Sequence, residues 1–228
     1  MSKEIGVIPG GFVRLLGVMG TDLDIVNDAR QSYDVEHKEL TESDTGLLSF
    51  LVKHRHGTPF EGVEFKFQIQ APLPVAREWQ RHRNASYNEV SGRYVKQTLG
   101  FYVPDREAIR TQVGKPGSYY YIPIEDEKVQ EKVALLFNKS YNRSYEDYET
   151  ALRLGVAKEL ARNLLPQGMI TKFMYKTNAR SLMNFLSLRN DERAMYEIRK
   201  YAEVLEKIFE FHLPLTHSSF VSNGRIAP

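Results

Sequence analysis

The sequence predicts an α+β fold, mixed in its elements, with a central and largely antiparallel sheet flanked by helices in a single domain over residues 1–228. Three observations carry this reading. Residues 62–71 alternate Val63, Phe65, Phe67 and Ile69 with Glu64, Lys66, Gln68 and Gln70, the period-two pattern of a strand with one buried face. Residues 126–154 place Val129, Val133, Leu136, Phe137, Tyr141, Tyr148 and Leu152 on the stripe of an amphipathic helix. Strand and helix signals then alternate irregularly, with no repeat, low-complexity tract or Gly/Ser linker to divide the chain.

Taken in order, residues 12–18 read as a strand and residues 22–31 as a helix. A second helix fits residues 43–55, with Ser43 as N-cap and Gly57 as stop. Pro72 and Pro74 close the strand of residues 62–71, and Pro74 opens a helix over residues 74–83. A weaker strand falls on residues 98–103. The stretch 104–124 holds three Pro, two Gly and the run Tyr119, Tyr120, Tyr121, so it reads as an irregular loop, a surface insertion ahead of the alternative of a lid or partner contact. The helix of residues 126–154 stops at Gly155, and a short helix over residues 157–165 stops before Pro166. Residues 168–178, with Met169, Thr171, Phe173, Tyr175 and Thr177 on one side, form a strand. Helices over residues 179–188 and 193–211 complete the chain, the last ending before Pro214.

Composition excludes several function classes. Lys plus Arg number 31 against 29 Asp plus Glu, a net charge of +2 that argues against a protein living on non-specific nucleic-acid contacts. No apolar stretch approaches a membrane span. The absence of cysteine removes disulfides, thiolate metal sites and every cysteine-nucleophile mechanism. Met1 to Glu4 lead into Gly and Pro rather than an apolar core, so no signal peptide is expected and a cytoplasmic location follows.

Chemistry concentrates in three runs. Arg77, Arg81, His82, Arg83, Arg93 and Lys96 crowd cations into a short segment of a nearly neutral protein, with Ser86, Asn88, Ser91 and Gly92 as neighbouring donors. Guanidinium forks bind phosphate oxygens bidentately, so this cluster calls for an anionic ligand. On a helix Arg77 and Arg81 share a face, while His82 and Arg83 emerge near its end. Trp79, Tyr87 and Tyr94 also permit stacking on a polynucleotide, a weaker reading given the balanced charge. The second run is residues 53–61, where His54 and His56 stand without a carboxylate or Cys at metal-ligand spacing, so no metal is expected. The third is residues 177–189, where Arg180 and Asn184 lie four apart and can reach one ligand. No Gly-x-Ser-x-Gly elbow, Walker loop, His-Glu-x-x-His or dinucleotide glycine fingerprint is present. Side chains of these types are suited to orienting phosphorylated organic molecules around a bound cofactor.

The run from Arg81, His82 and Arg83 through Ser86, Asn88 and Glu89 to Ser91, Gly92 and Arg93 resembles the signature of the flavin-dependent thymidylate synthases. Residues 56–61 upstream and 178–189 downstream match in the family's order. The resemblance implies reductive methylation of dUMP to dTMP, with 5,10-methylenetetrahydrofolate as carbon donor, NADPH as reductant and FAD as hydride carrier. It implies that Ser32, His56 and Thr58 bind FAD together with Arg81, His82, Arg83 and Glu89. Asn178, Arg180 and Asn184 match further flavin-side positions. Glu78, Arg81, Ser91, Gly92, Arg93, Arg162 and Arg189 match dUMP positions, with Arg189 near the pyrimidine as the catalytic cation that stabilises charge when C5 becomes nucleophilic. Ser91 lacks a His base nearby in sequence and reads as a substrate contact. The chain departs from some relatives in carrying Glu78 where they have Gln and Arg193 where they have His. A homotetramer with active sites between subunits is also implied.

Overall fold

Strand β3 (Glu64–Pro72) is built from the alternation noted above, and its apolar side chains Phe65, Phe67, Ile69 and Ala71 are fully buried. It lies at the centre of a sheet of order β1-β2-β3-β7-β4 in a computed structural model that describes residues 3–228. β1 is Ile5–Gly6 and β2 is Phe12–Met19, which pairs with β3 through a register shift between Leu15 and Gly17. On the other side β7 (Ile170–Asn178) pairs with β3 along its whole length, from Glu64 opposite Asn178 to Pro72 opposite Ile170. β4 (Ala85–Glu89) adds to the outer edge of β7, and every pairing is antiparallel.

Helices α1 (Asp22–Arg30) and α2 (Glu42–Lys53) follow β2. The N-cap of α2 is Thr41, not Ser43, because Thr41 and Asp44 form a reciprocal capping box two residues earlier than the reading placed it. α3 (Leu73–Trp79) is shorter than the expected helix over residues 74–83. The chain turns after Gln80, and the Tyr87 hydroxyl donates to the carbonyls of Trp79 at 3.0 Å and His82 at 2.8 Å. Those bonds satisfy acceptors that a longer helix would have used, and release residues 85–89 to pair with the free edge of β7.

Two further expectations give way. Residues 98–103 make only an isolated bridge, Phe101 with Met169, since Gly100 has φ +85° and Pro104 follows closely. Residues 104–124 are not irregular: β5 (Arg110–Lys115) and β6 (Ser118–Pro123) form a hairpin. Its two-residue turn is Pro116 and Gly117, with Gly117 at φ +85°, the residue pair that a tight turn demands. Density of Pro and Gly had hidden a hairpin whose strands are rich in β-prone Tyr.

α4 (Glu127–Arg153) starts from Asp126 as N-cap and stops at Gly155 as expected. Tyr141 and Tyr148 are buried, whereas Leu135 and Leu136 near its start are 69% and 58% exposed. α5 (Lys158–Ala161) runs into a tight turn over Arg162–Leu164. α6 (Ala179–Arg189) is capped by Asn178, whose side-chain oxygen accepts from the Ser181 amide at 2.8 Å. α7 (Tyr196–His212) begins later than residue 193, because Asp191 accepts from the Arg193 amide and guanidinium and holds a turn there. α8 (Pro214–Ser222), unforeseen in the sequence, is held by buried Asp22, which accepts from the Leu215 and Thr216 amides at 2.9 and 3.0 Å and from the Thr216 hydroxyl at 2.6 Å.

The core lies between the sheet and α3, α6 and α7. Trp79 is wholly buried, its ring 4.8 Å from Phe185, 5.4 Å from Tyr175, 5.6 Å from Phe173 and 5.7 Å from Tyr201. This cluster anchors the turn that follows α3 and so fixes where residues 81–83 emerge. Among the described residues no helix is long and apolar enough to cross a membrane.

Candidate active site

The cation-rich run divides between two ends of one strand. β4 runs antiparallel to β7, with Ala85 opposite Thr177 and Glu89 opposite Phe173. Arg81, His82 and Arg83 therefore emerge beside the α6 end of β7, while Ser91, Gly92 and Arg93 emerge beside its beginning. Thr171 and Asn178 are seven residues apart on β7, about 23 Å at the usual rise of a strand.

At the α6 end lies a cleft of about 620 Å³, which we call the arginine cleft. Arg81, His82, Arg83, Arg180, Asn184 and Arg189 line it, together with Asn84, Ser181, Leu188, Ala227 and Pro228. Arg81 and Arg83 are exposed and form no ion pair among the described residues. The Arg180 guanidinium pairs with Glu61, and its Nε donates to the Pro228 carbonyl at 2.9 Å. Gly57 lies flat beneath it, since a Cβ there would stand 2.3 Å from Arg180 Nε.

Arg189 is the most tightly held cation of this cleft. Its Nη1 donates to Glu78 Oε2 at 3.0 Å, Nη2 to the Glu78 carbonyl at 3.3 Å, and Nε to His82 Nε2 at 3.1 Å. Because His82 Nε2 accepts, its proton sits on Nδ1. Burial and the adjacent Arg189 charge push the His82 imidazole down to about 4, so it is neutral near pH 7. Its ring packs 4.8 Å from Phe185.

Arg180 also lines an adjoining cleft of about 750 Å³, the histidine cleft. Ser32, His56 and Thr58 meet there with His54, Arg55, Gly57 and Asp28. The two clefts share Arg180 as a wall, so the upstream and downstream runs come together as the sequence suggests. Arginines, amides and hydroxyls along this length suit a ligand carrying a diphosphate between two larger groups.

At the far end of β7 lies the serine cleft, about 670 Å³, where Ser91, Gly92 and Arg162 meet Arg77, Glu89, Gln97, Gln167 and Thr171. Gly92 is closely packed, as a Cβ would lie 3.2 Å from Arg162 Cδ and 3.1 Å from Gln97 Nε2. Glu89 stands here rather than in the arginine cleft, accepting from Thr171 Oγ1 at 2.6 Å and Gln80 Nε2 at 3.1 Å. Arg93 lies on the outer side, paired with Glu159 at 3.0 Å.

Within one chain the structure thus gathers Arg81, His82, Arg83, Arg180, Asn184 and Arg189 on one cleft and Ser91, Gly92 and Arg162 on another. Glu78 stands behind Arg189, and the side-chain oxygen of Asn178 is used as the α6 cap. Asn84 and Ser181 lie within the runs of residues 81–93 and 177–189, where nothing in the spacing distinguishes them from their neighbours. Gln97, Gln167 and Thr171 carry no local sequence signal, since chain packing alone brings them to Ser91 and Gly92.

Comparison with known proteins gives these clefts a context. A family model described as "Thymidylate synthase complementing protein" matches residues 14–215. A flavin-dependent thymidylate synthase of Thermotoga neapolitana is 44% identical over 218 residues, covering 96% of this chain and 94% of the relative. The flavin-dependent thymidylate synthase of Anaplasma marginale is 38% identical over 221 residues, covering 97% of this chain and 75% of the relative. The crystal structure of a UMP/dUMP methylase from Streptomyces cacaoi bound with 5-Br UMP superposes with a TM-score of 0.89 at 34% identity, covering 96% of each chain. The chain belongs to the family of flavin-dependent thymidylate synthases.

Proposed function

We infer that this protein converts dUMP to dTMP by reductive methylation, taking its carbon from 5,10-methylenetetrahydrofolate and its reducing equivalents from NADPH through FAD. The observation that carries the reading is the arrangement of the signature run along β4, with Arg81 and Arg83 at one end and Arg162 beside the other, none of them ion-paired among the described residues. The joined arginine and histidine clefts fit FAD: Arg81, Arg83 and Arg180 would hold its pyrophosphate, while Ser32, His56, Thr58 and Asn184 would hold the remainder. Bound flavin would supply the hydride carrier that amino-acid side chains lack. Asn178 and Glu89 then act on this cofactor indirectly, through the α6 cap and through the β4 edge.

In the serine cleft Ser91, Gly92 and Arg162 bind the dUMP phosphate, with Arg93 at the rim. Glu78, Arg81 and Arg189 contact the same nucleotide from a second copy of the chain. The exposed apolar start of α4 supports an assembly of this kind, and a homotetramer of single-domain chains with shared sites is the form we propose. Arg189 is the catalytic residue: held by Glu78 and by neutral His82, it is pre-aimed to stabilise negative charge on the uracil carbonyl as C5 attacks. A cytoplasmic location suits these co-substrates.

The test is direct. The purified protein should carry flavin absorbance that NADPH bleaches, and should form dTMP when dUMP and methylenetetrahydrofolate are added. A protein that takes up no flavin, yet binds polynucleotide with steep salt dependence, would replace this reading with the nucleic-acid alternative.

A further inference from the structure

We propose that Arg77 is a second phosphate-binding cation of the serine cleft, held in position by Gln167, and that it makes this cleft selective for the dianionic form of its nucleotide. The inference rests on the reading of that cleft as the dUMP phosphate site. A phosphate monoester carries a charge of about −1.5 to −2 near neutral pH. Of the cations of the same chain so far assigned there, Arg93 lies outside the cleft and is engaged by Glu159 at 3.0 Å, which leaves Arg162 as the one assigned cation on the wall. One guanidinium neutralises only half of the ligand.

Arg77 supplies the other half. It lines the same cleft from α3, is exposed to it, and has no carboxylate partner among the described residues. The single carboxylate of the cleft, Glu89, is engaged by Thr171 and Gln80. Arg77 Nη1 instead donates to the Gln167 side-chain oxygen at 2.7 Å. A neutral acceptor fixes the direction of the guanidinium without cancelling its charge, which leaves its remaining donors for an anion. Gln167 is thus a positioning residue and Arg77 a ligand contact.

The experiment measures the affinity of the flavin-loaded protein for dUMP and for uncharged deoxyuridine by calorimetric competition. Arg77→Ala should weaken dUMP about tenfold or more while leaving deoxyuridine unchanged, and Arg77→Lys should recover part of the loss. Gln167→Ala should weaken dUMP by a smaller factor and add nothing to Arg77→Ala, because its effect passes through the arginine. Equal weakening of both ligands, or of neither, overturns the assignment. A wild-type protein that binds no dUMP fails the underlying reading instead, and the two failures are told apart by that control.

Discussion

Replacing Gly57 by Ala separates the demands of folding from those of the cofactor cleft. Gly57 has φ −77° and ψ −28°, a conformation in which Ala is at ease, so the backbone resists nothing. The added Cβ would stand 2.3 Å from Arg180 Nε, 2.6 Å from Cζ and 2.8 Å from Cδ. Restoring ordinary contact requires the guanidinium to move about 1 Å, which breaks the bond to the Pro228 carbonyl and loosens the pair with Glu61. That ion pair is 43% exposed on both sides, so it contributes well under about 1 kcal/mol, and the lost hydrogen bond contributes about 1 more. Reduced freedom of the unfolded chain returns about 0.4–1 kcal/mol. Net stability should therefore change by less than about 1.5 kcal/mol. On the proposed role of Arg180 as a phosphate contact, the cofactor loses more: a charge-assisted bond to phosphate is worth about 1.5–3 kcal/mol, or roughly 10- to 150-fold in affinity. Urea unfolding of the apoprotein and flavin-fluorescence titration read the two effects separately. A flavin affinity within twofold of wild type would show that Arg180 does not need its present place, and would refute the reasoning.

Other expectations follow from the same geometry. Arg189→Ala should cut turnover by at least about a hundredfold with flavin retained, since the role proposed for its charge is to act on the reacting pyrimidine; single-turnover dTMP formation beside bound-flavin absorbance checks this. His82 should titrate near 4 by NMR, and Arg189→Gln should move it back toward its ordinary 6.5. Because the folded-state value is the lower one, the unfolded chain binds the proton more readily, so the His82 contribution is complete above about 6.5 and is lost as pH falls toward about 4. Trp79→Ala should cost about 3–5 kcal/mol in denaturant unfolding, as it empties the space between Phe173, Tyr175, Phe185 and Tyr201.

Much of the scaffold was legible because its signals are local. The alternation around Phe65 and Phe67 became β3, the stripe ending at Gly155 became α4, and the helix read over residues 179–188 became α6. What escaped depended on partners distant in the chain. β4 exists because β7 offers an open edge, and the Tyr87 hydroxyl that ends the preceding turn is not distinguishable in sequence from any other Tyr. α8 is held by Asp22, nearly the whole chain away. The same rule governs the site. Arg81 and Arg83 stood out as clustered charge and Arg180 by its spacing to Asn184, whereas Arg77, a member of the same cluster, carried no assigned role until Gln167 and Arg162 were placed around it. Spacing alone also could not tell that Glu89 faces away from Arg81, because that requires knowing that the intervening residues are extended.

That extension has a genetic consequence. A run of thirteen neighbours in the gene, residues 81–93, furnishes opposite ends of a strand and, in the shared-site assembly proposed above, two different catalytic centres. Lesions at its two ends should then be separable by mixing: subunits defective at Arg189 combined with subunits defective at Arg162 restore some wholly intact centres, although neither parent has any. Co-expression of the two dead alleles should recover thymidine-independent growth in a host that lacks its own synthase, whereas two alleles damaged in the same half should not.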